Sequence, residues 1–397
     1  MIQDSARCDV AGVSRPCVIC AADEGPQVFG SQLDICGLGP VSFGIRCCAV
    51  CGMVQQSPAV GAEVLAQQYR LFSNYTQFDR GDPPLSAPAA RMLALLERRE
   101  VTPGRVYDVG AATGAALWHF RRRGWTVSGC DPSPKAVEQA RLSNGITLDL
   151  GDEHEALPPL VDIDLITFSH VVEHLFHPRQ TLARARRVLA PDGLLLFEVP
   201  CLAAPEINPP GLFMLEHLNY FDAISVRNLL AATGFEALDS EITVDNWPFP
   251  VITVLARRTP DEAPAAPLVS GFIAARDFCD RYAAVDDAAW ARSDARLRAA
   301  ITPGEAVCVW GAGVHTSTLL ERTSLATYAR LVAITDRDQQ KHGHHLGPYR
   351  IAPPEDALAL GVKVVISSYV SEAAIARALL AGGVPPERIV RLYTVDA

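Results

Sequence analysis

Short apolar runs alternating with amphipathic stretches dominate the chain between residues 104 and 258. Val106–Val109, Thr126–Cys130, Ile146–Asp149, Ile163–Phe168, Leu194–Val199, Glu236–Val244 and Pro250–Arg257 each read as a strand. Strands that are mostly apolar from end to end, with helical segments between them, belong in a largely parallel sheet covered on both faces. Residues 86–100 read as an amphipathic helix leading into that sheet. The Pro- and Ala-rich stretch 258–267 reads as a linker, and about 268–300 as a long helix. A second alternation starts at 305, with strand patterns at Ala306–Trp310, Leu331–Asp336 and Lys363–Ser368. Residues 1–60 show no helical period and hold seven of the eleven cysteines. The expected organisation is a cysteine-rich lobe and lead-in (1–85), a central α/β unit (86–258), a linker and helix (259–300) and a second α/β unit (301–397).

Composition narrows the classes open to such a chain. Its 397 residues exceed one small core, and 49% hydrophobic with 20% charged residues is an ordinary globular balance. A net charge of −10 argues against a broad nucleic-acid-binding surface. No stretch approaches about 20 uninterrupted apolar residues, so no transmembrane helix is expected. The first residues carry Asp4 and Asp9 and no apolar core of a signal peptide, so a cytoplasmic protein, monomer or homodimer, is expected. Cysteines in a reducing compartment suggest a metal rather than disulfides.

Cys17-x-x-Cys20 and Cys48-x-x-Cys51 form two pairs at knuckle spacing, enough to complete a tetrahedral zinc site. Cys47 is the alternative to Cys48, and the spacing favours Cys48. Gly52 allows the tight turn after the second pair. Four protein ligands leave no open position, so the zinc would be structural. The pairs lie outside any βαβ pattern, which disfavours a redox motif.

Val106-Tyr-Asp-Val-Gly-Ala-Ala-Thr-Gly114 is a strand running into a glycine turn, and Asp131 closes the next strand. A glycine turn after one strand and an acid at the tip of its neighbour is how an α/β sheet holds a nucleoside. The spacing Asp108-x-Gly110-x-x-x-Gly114 is not the dinucleotide fingerprint. It resembles motif I of the class I S-adenosylmethionine (SAM) methyltransferases. Two later stretches, Ser169-His-Val-Val-Glu-His-Leu-Phe-His-Pro178 and Arg187-Val-Leu-Ala-Pro-Asp-Gly-Leu-Leu-Leu-Phe-Glu-Val-Pro200, are typical of the same enzymes. The resemblance covers 104–258. It implies an α/β protein with a central class I methyltransferase (Rossmann-like) domain, between the zinc-binding lobe and a second Rossmann-like unit. It also implies a site for SAM: Asp108, Gly110, Ala112 and Gly114 around the methionine part, Asp131 with Pro132 at the ribose, Asp152 at the adenine amino group, and His170 at the end of the fourth strand. His170-x-x-Glu173-His174 also matches an inverted zinc-peptidase pattern, which requires both histidines on one helix face. Following directly on a strand, it does not fit that chemistry.

The order of zinc lobe, SAM domain and second Rossmann-like unit resembles the C-methyltransferases of nucleotide-linked keto-deoxysugars. Matching features are the cysteine pairs with Arg46 and Gly52, the segment Tyr69-Arg-Leu-Phe-Ser-Asn-Tyr75, and Glu216-His217-Leu-Asn-Tyr220-Phe221. In that group a Tyr-His-Glu-His segment carries the proposed base. Here Met214 and Leu215 replace its tyrosine and first histidine. The resemblance makes His217 the base that enolises the sugar, with Glu216 or Glu173 orienting an imidazole or holding a hydroxyl. His174 is a second candidate, and Tyr75 and Tyr220 are possible donors to the acceptor oxygen. A purely structural His217, capping the helix that starts near Asp222, is the alternative. Gly311-Ala-Gly313 and Asp336 mimic a dinucleotide site without its third glycine, and the resemblance gives this unit a share in shaping the acceptor site between the lobes. Lys341-His-Gly-His-His345 reads as a solvated loop. Two other readings stay open: an O- or N-methyltransferase of a sugar or other small metabolite, and a non-catalytic scaffold of the same fold. The partner implied is a small-molecule acceptor, with neither nucleic acid nor membrane.

Overall fold

The structure is a computed structural model that describes residues 12–65, 82–157, 160–244, 249–260 and 266–393. In the cysteine lobe, β1 (Gln27–Ile35), β2 (Gly39–Cys47) and β3 (Val54–Gln56) pair antiparallel. The alternation at Leu33, Ile35, Val41, Phe43 and Ile45 buries one face of this sheet.

The central sheet is built from β4 (Arg105–Val109), β5 (Thr126–Asp131), β6 (Asp149–Leu150), β7 (Ile163–Ser169), β8 (Leu189–Pro200), β10 (Phe235–Thr243) and β11 (Val251–Arg258), in the order β10-β11-β8-β7-β4-β5-β6. Strands β4 to β8 are parallel, whereas β10 and β11 run antiparallel at the edge. Helix α1 (Ala87–Arg98) starts as its sequence suggests, with Ser86 capping Ala89 N at 3.4 Å and Pro88 in the first turn. It buries Met92, Leu93, Leu95 and Leu96 against Val106, Leu165, Leu196 and Leu255.

Two strand expectations shift. The third strand, expected at 146–149, pairs only from Asp149, because Ile146 packs under the glycine turn, 3.0 Å from where a side chain on Gly114 would begin. The fifth begins at Leu189 rather than Leu194. Leu189 and Leu194 pair with Ile163 and Leu165, so the expected turn Ala190–Gly193 survives as a bulge between them.

Between β8 and β10 the chain leaves the central sheet. Strand β9 (Asn219–Tyr220) pairs with β3 and becomes the fourth strand of the cysteine lobe. Helix α2 (Ala223–Ala232) follows, capped by Asp222, whose carboxylate accepts from Ser225 N while Ser225 Oγ accepts from Asp222 N. Helix α3 (Phe272–Ala300) is more than the expected connector. Its first half buries Ala275, Phe278 and Tyr282 against the cysteine lobe, and its second half buries Trp290 and Leu297 in the C-terminal core.

In the C-terminal unit β12 (Ala306–Trp310), β13 (Arg330–Thr335), β15 (Tyr349–Ala352), β16 (Lys363–Ile366) and β17 (Ile389–Val390) are parallel, and β14 (His345–Leu346) folds back on β15. β14, β15 and β17 are too short to show in a hydrophobic pattern. Among the described residues no helix is long and apolar enough to cross a membrane.

Candidate functional site

The glycine turn after β4 makes three left-handed residues in five, Gly110 (φ 72°), Ala112 (φ 49°) and Gly114 (φ 69°). A side chain on Gly110 would begin 2.6 Å from Val171 Cγ2, so the turn lies tight against the loop after β7. The backbone N–H groups of Gly110 and Ala111 donate to the Cys130 carbonyl, both at 2.9 Å. Asp131 Oδ2 accepts from Ala112 N and Oδ1 from Ser133 N, each at 2.9 Å. The turn and the acid thus form one backbone-lined cradle. Asp108 lies beneath it. It is buried and accepts a hydrogen bond from Thr167 Oγ1 at 2.6 Å, and burial pushes its carboxyl up to about 7. Pro132 is exposed beside Asp131. Asp152 is exposed, and its Oδ1 caps the short helix Glu153–Ala156 through His154 N and Glu155 N.

His170, at φ 53°, turns the chain sharply off β7, and Val172–His174 form a single 3-10 turn. The two histidines of the peptidase-like pattern therefore do not share a helix face. Both ring nitrogens of His170, expected at the cofactor, face carboxylates instead: Nε2 lies 3.1 Å from Glu198 Oε1 and Nδ1 3.3 Å from Glu173 Oε1. Burial pulls the ring's pKa down, but Glu173 and Glu198 outweigh it and raise it to about 9. Arg91 holds Glu198 with two nitrogens at 2.8 and 2.7 Å, and Thr253 Oγ1 donates to it at 2.6 Å. Burial raises the Glu198 carboxyl, yet Arg91, His170 and Thr253 bring it to about 2.

The segment 214–220 closes the opposite wall. His174 Nδ1 donates to the Glu216 carbonyl at 2.8 Å, which leaves its Nε2 facing Glu173 Oε1 at 3.9 Å. The His217 ring stands edge-on to His174 with centroids 4.9 Å apart. Ligand atoms of Glu173, His174 and His217 lie within 4.8 Å of one another, a set that can hold a metal ion or the hydroxyls of an acceptor. Among the described residues His217 Nδ1 and both Glu173 oxygens lack a hydrogen-bond partner.

Three expectations are corrected here. His217 is not a histidine of near-neutral pKa: burial, helped by the charge of His174, pushes it down to about 3. Nor does it cap the helix after β9, where Asp222 does that. Tyr220 is not a free donor, because its buried hydroxyl accepts from Met214 N at 3.0 Å and donates to Met214 O at 3.1 Å. Tyr75 lies outside the described residues.

Sequence reasoning missed the residues that fix this wall. Gln56 Nε2, from β3, donates to the carbonyls of Met214, Leu215 and His217, each at 3.0 Å. Asn219 Nδ2 donates to the carbonyls of Val172, Glu173 and Leu175. Tyr282 and Asp286 of α3 hold the approach through Leu212 N and Gly211 N, both at 2.8 Å. The one readable signal was Glu198, a lone acid in the apolar strand Leu194–Pro200.

A cavity of about 640 Å³ lies between the three units. Met214, Leu215 and Glu216 form one wall and Ile35 and Cys36 another, while the third is the C-terminal turn Gly311–His315 with Asp336, Arg337 and Lys341. This turn repeats the central cradle: Asp336 Oδ2 accepts from Ala312 N at 2.9 Å and Oδ1 from Asp338 N at 2.9 Å. Here Lys341 Nζ also reaches Asp336, at 3.0 Å. Lys341 is buried rather than part of a solvated loop.

The cysteine pairs converge. Cys17 Sγ lies 3.5 Å from Cys51 Sγ, and Cys20 Sγ 3.5 Å from Cys48 Sγ. Cys47 instead turns into the lobe's core. Four sulfurs in one cluster are a donor set that can hold zinc.

Residues 84–240 match the family described as the methyltransferase domain. An uncharacterized 37.1 kDa protein in transposon TN4556 of Streptomyces fradiae is 34% identical over 30% of this chain and 36% of its own length. C-methyltransferase NovU of Streptomyces niveus is 26% identical over 54% of this chain and 51% of its own. Malonyl-[acyl-carrier protein] O-methyltransferase of Geobacter sulfurreducens is 31% identical over 41% of this chain and 69% of its own. The chain thus spans about half the length of the curated relatives it matches.

Proposed function

We infer, for a chain that belongs to the class I SAM-dependent methyltransferase family, that it methylates a carbon of a nucleotide-linked keto-deoxysugar. The cavity between the units supports this reading most directly. At about 640 Å³ it suits a sugar nucleotide. It runs from Glu216, whose carbonyl meets His174, to the turn Gly311–Gly313 with Arg337 and Lys341 in the same wall. The relative named as a C-methyltransferase points the same way.

SAM would sit on the turn Gly110–Gly114 with its ribose at Asp131. The fit rests on the close approach at Gly110 and on the acid. Asp131 is fixed beside the turn by the backbone N–H groups of Ala112 and Ser133, the place where an acid meets a ribose diol in α/β sheets of this kind. SAM supplies an electrophilic methyl on a cationic sulfur. The chain's own task is to make an acceptor carbon nucleophilic and hold it in line with that methyl. His217 takes the proton from the carbon beside the ketone. The resulting enolate forms the new C–C bond as the methyl–sulfur bond breaks, its electron pair staying on sulfur, and the proton leaves His217 for solvent. Glu173 stands beside His217 to balance the imidazolium. The zinc cluster, with Cys17, Cys20, Cys48 and Cys51 as ligands, would keep the lobe folded so that Gln56 holds the 214–217 segment.

A specific observation favours the O- or N-methyl reading as the alternative. Leu215 is wholly buried and Met214 apolar where the sugar group carries a polar pair. Incubation with SAM and a panel of nucleotide-linked keto sugars, read by mass and by the NMR shift of the new methyl, separates the two. A methyl on carbon supports the inference. A methyl on oxygen or nitrogen, or none on any member, rejects it.

A further inference from the structure

The 3-10 turn after β7 and the ring of His217 bring together buried lone pairs that the rest of the chain does not use. Glu173 is 1% exposed and His217 7%. Among the described residues, neither oxygen of Glu173 has a hydrogen-bond partner, nor does Nδ1 of His217. Polar atoms buried without a bond cost free energy, so their meeting at one place points to a ligand. The side-chain N and O atoms of Glu173, His174 and His217 that could serve as donors all lie within 4.8 Å of one another.

The surroundings favour a cation as that ligand. Arg91 is already engaged, through two nitrogens, with Glu198. Among the described residues no Arg or Lys pairs with Glu173, whose ionisable neighbours are the rings of His170, His174 and His217. His174 Nδ1 donates to the Glu216 carbonyl at 2.8 Å, so the ring's lone pair is on Nε2, 3.9 Å from Glu173 Oε1. A carbonyl holding the far N–H is the arrangement that orients metal-binding histidines. His170 steadies the carboxylate from outside the set, with Nδ1 3.3 Å from Glu173 Oε1. Two imidazoles and one carboxylate suit zinc and neighbouring transition ions, whereas magnesium and calcium take oxygen ligands. Zinc bonds near 2.1 Å set ligand atoms about 3.4 Å apart, so the set tightens on the ion by side-chain rotation, and water completes the tetrahedron. His174, with 24% of its side chain exposed, is the edge by which an ion enters.

We propose that Glu173, His174 and His217 form a second metal site, for one zinc or neighbouring divalent transition ion, and that an ion bound there blocks methyl transfer. The blocking role rests on the reading of His217 as the proton acceptor; the site itself does not. The ion takes the lone pair that would otherwise receive the acceptor's proton, so the acceptor carbon is not made nucleophilic. Three ligands hold the ion less tightly than four thiolates, so the first zinc fills the cysteine cluster and the second site fills only when metal is in excess. Among the described residues these two are the donor sets of this kind, and His342, His344 and His345, close in sequence, form none.

The test starts from the full chain with one zinc on its four cysteines. Calorimetric titration with further Zn²⁺ should show a second event of one ion per chain. In ¹⁵N-histidine NMR the same addition should move the ring signals of His174 and His217 and leave those of His342, His344 and His345 in place. Glu173→Gln and His217→Asn should each weaken the second event by at least about tenfold, since even the partners of metal ligands are worth about 10- to 100-fold. No second event, or shifts at His342, His344 or His345 instead, overturns the site. If a variant does not fold, the unaltered protein decides through its histidine signals, and no acceptor is needed. With the acceptor found above, the second ion should lower turnover by about 10²-fold, leave SAM affinity unchanged, and be reversed by a chelator too weak to strip the cysteines. Binding without loss of turnover overturns the blocking role and takes His217 out of the chemistry. Absence of binding overturns the site and leaves His217 as the base.

Discussion

Gln56, on β3 of the cysteine lobe, donates its side-chain N–H to the carbonyl of His217 at 3.0 Å across 161 residues of chain. The same amide holds Met214 O and Leu215 O, and its own oxygen accepts from Val60 N at 3.1 Å. Gln56→Ala should cost about 2–3 kcal/mol, since buried carbonyls are left without a donor. It should lower turnover more than SAM affinity. Urea unfolding and calorimetric SAM binding check the two parts, and unchanged stability would remove Gln56 as the clamp.

The cysteine cluster acts at a distance through the same strand. Strand β3 lies between β2 and β9, so loss of the cluster releases the wall that carries His217. Chelation, or Cys48→Ser, should release one zinc per chain and abolish turnover while SAM still binds to the central cradle. Metal analysis beside a SAM titration measures both, and full turnover without zinc would contradict the expectation.

The cradle predicts a graded loss of cofactor binding. Asp131→Ala removes hydrogen bonds to a charged acceptor, worth about 1.5–3 kcal/mol, and should weaken SAM binding by roughly 10- to 150-fold. Gly110→Ala sets a side chain 2.6 Å from Val171 Cγ2 at a φ of 72°, and should weaken binding while lowering the melting temperature. Binding isotherms and thermal melts check both, and Asp131→Ala should also lose stability because Ala112 N and Ser133 N are left without their acceptor.

His217→Asn should retain SAM binding and lose turnover by about 10²-fold or more. The buried ring has no hydrogen-bond partner at Nδ1 among the described residues, so the variant should fold. Full activity would take His217 out of the chemistry.

The buried network sets a pH dependence of stability. Glu198, at about 2 in the folded chain, adds stability that is complete above its ordinary value of 4.5 and is lost as pH falls toward 2. His170, raised to about 9, adds stability that is complete below 6.5 and is lost as pH rises through 9. Asp108, raised to about 7 from 3.8, contributes stability that is lost as pH rises across that interval. Glu198→Gln should flatten the acid limb and shorten the alkaline one, and Asp108→Asn should remove the slope between them. Urea unfolding from about pH 3 to pH 9.5 reads all three.

The cradle was legible because its parts are local. Gly110 and Gly114 announce a left-handed turn, and Asp131 ends an apolar strand directly beside it. The cysteine spacing likewise distinguishes Cys48 from Cys47, and the structure brings the four expected sulfurs together. The wall at 214–220 was legible only as residue types. His217 looks available in sequence and is buried in the fold. Tyr220 looks like a donor and spends its hydroxyl on Met214. Arg91 sits on the helix before the sheet, and nothing in its neighbourhood along the chain announces Glu198, 107 residues away.

Periodicity, turn chemistry and ligand spacing thus determined the α/β units, the cofactor turn and the two cysteine pairs, since each element, turn or pair is written within a few neighbouring positions. Folding alone decided the strand that leaves the central sheet to join the cysteine lobe, the placement of His170 against Glu198 and the low basicity of His217. Burial and much of the charge pairing arise between segments that meet only on folding: Glu198 lies 28 residues from His170 and 107 from Arg91.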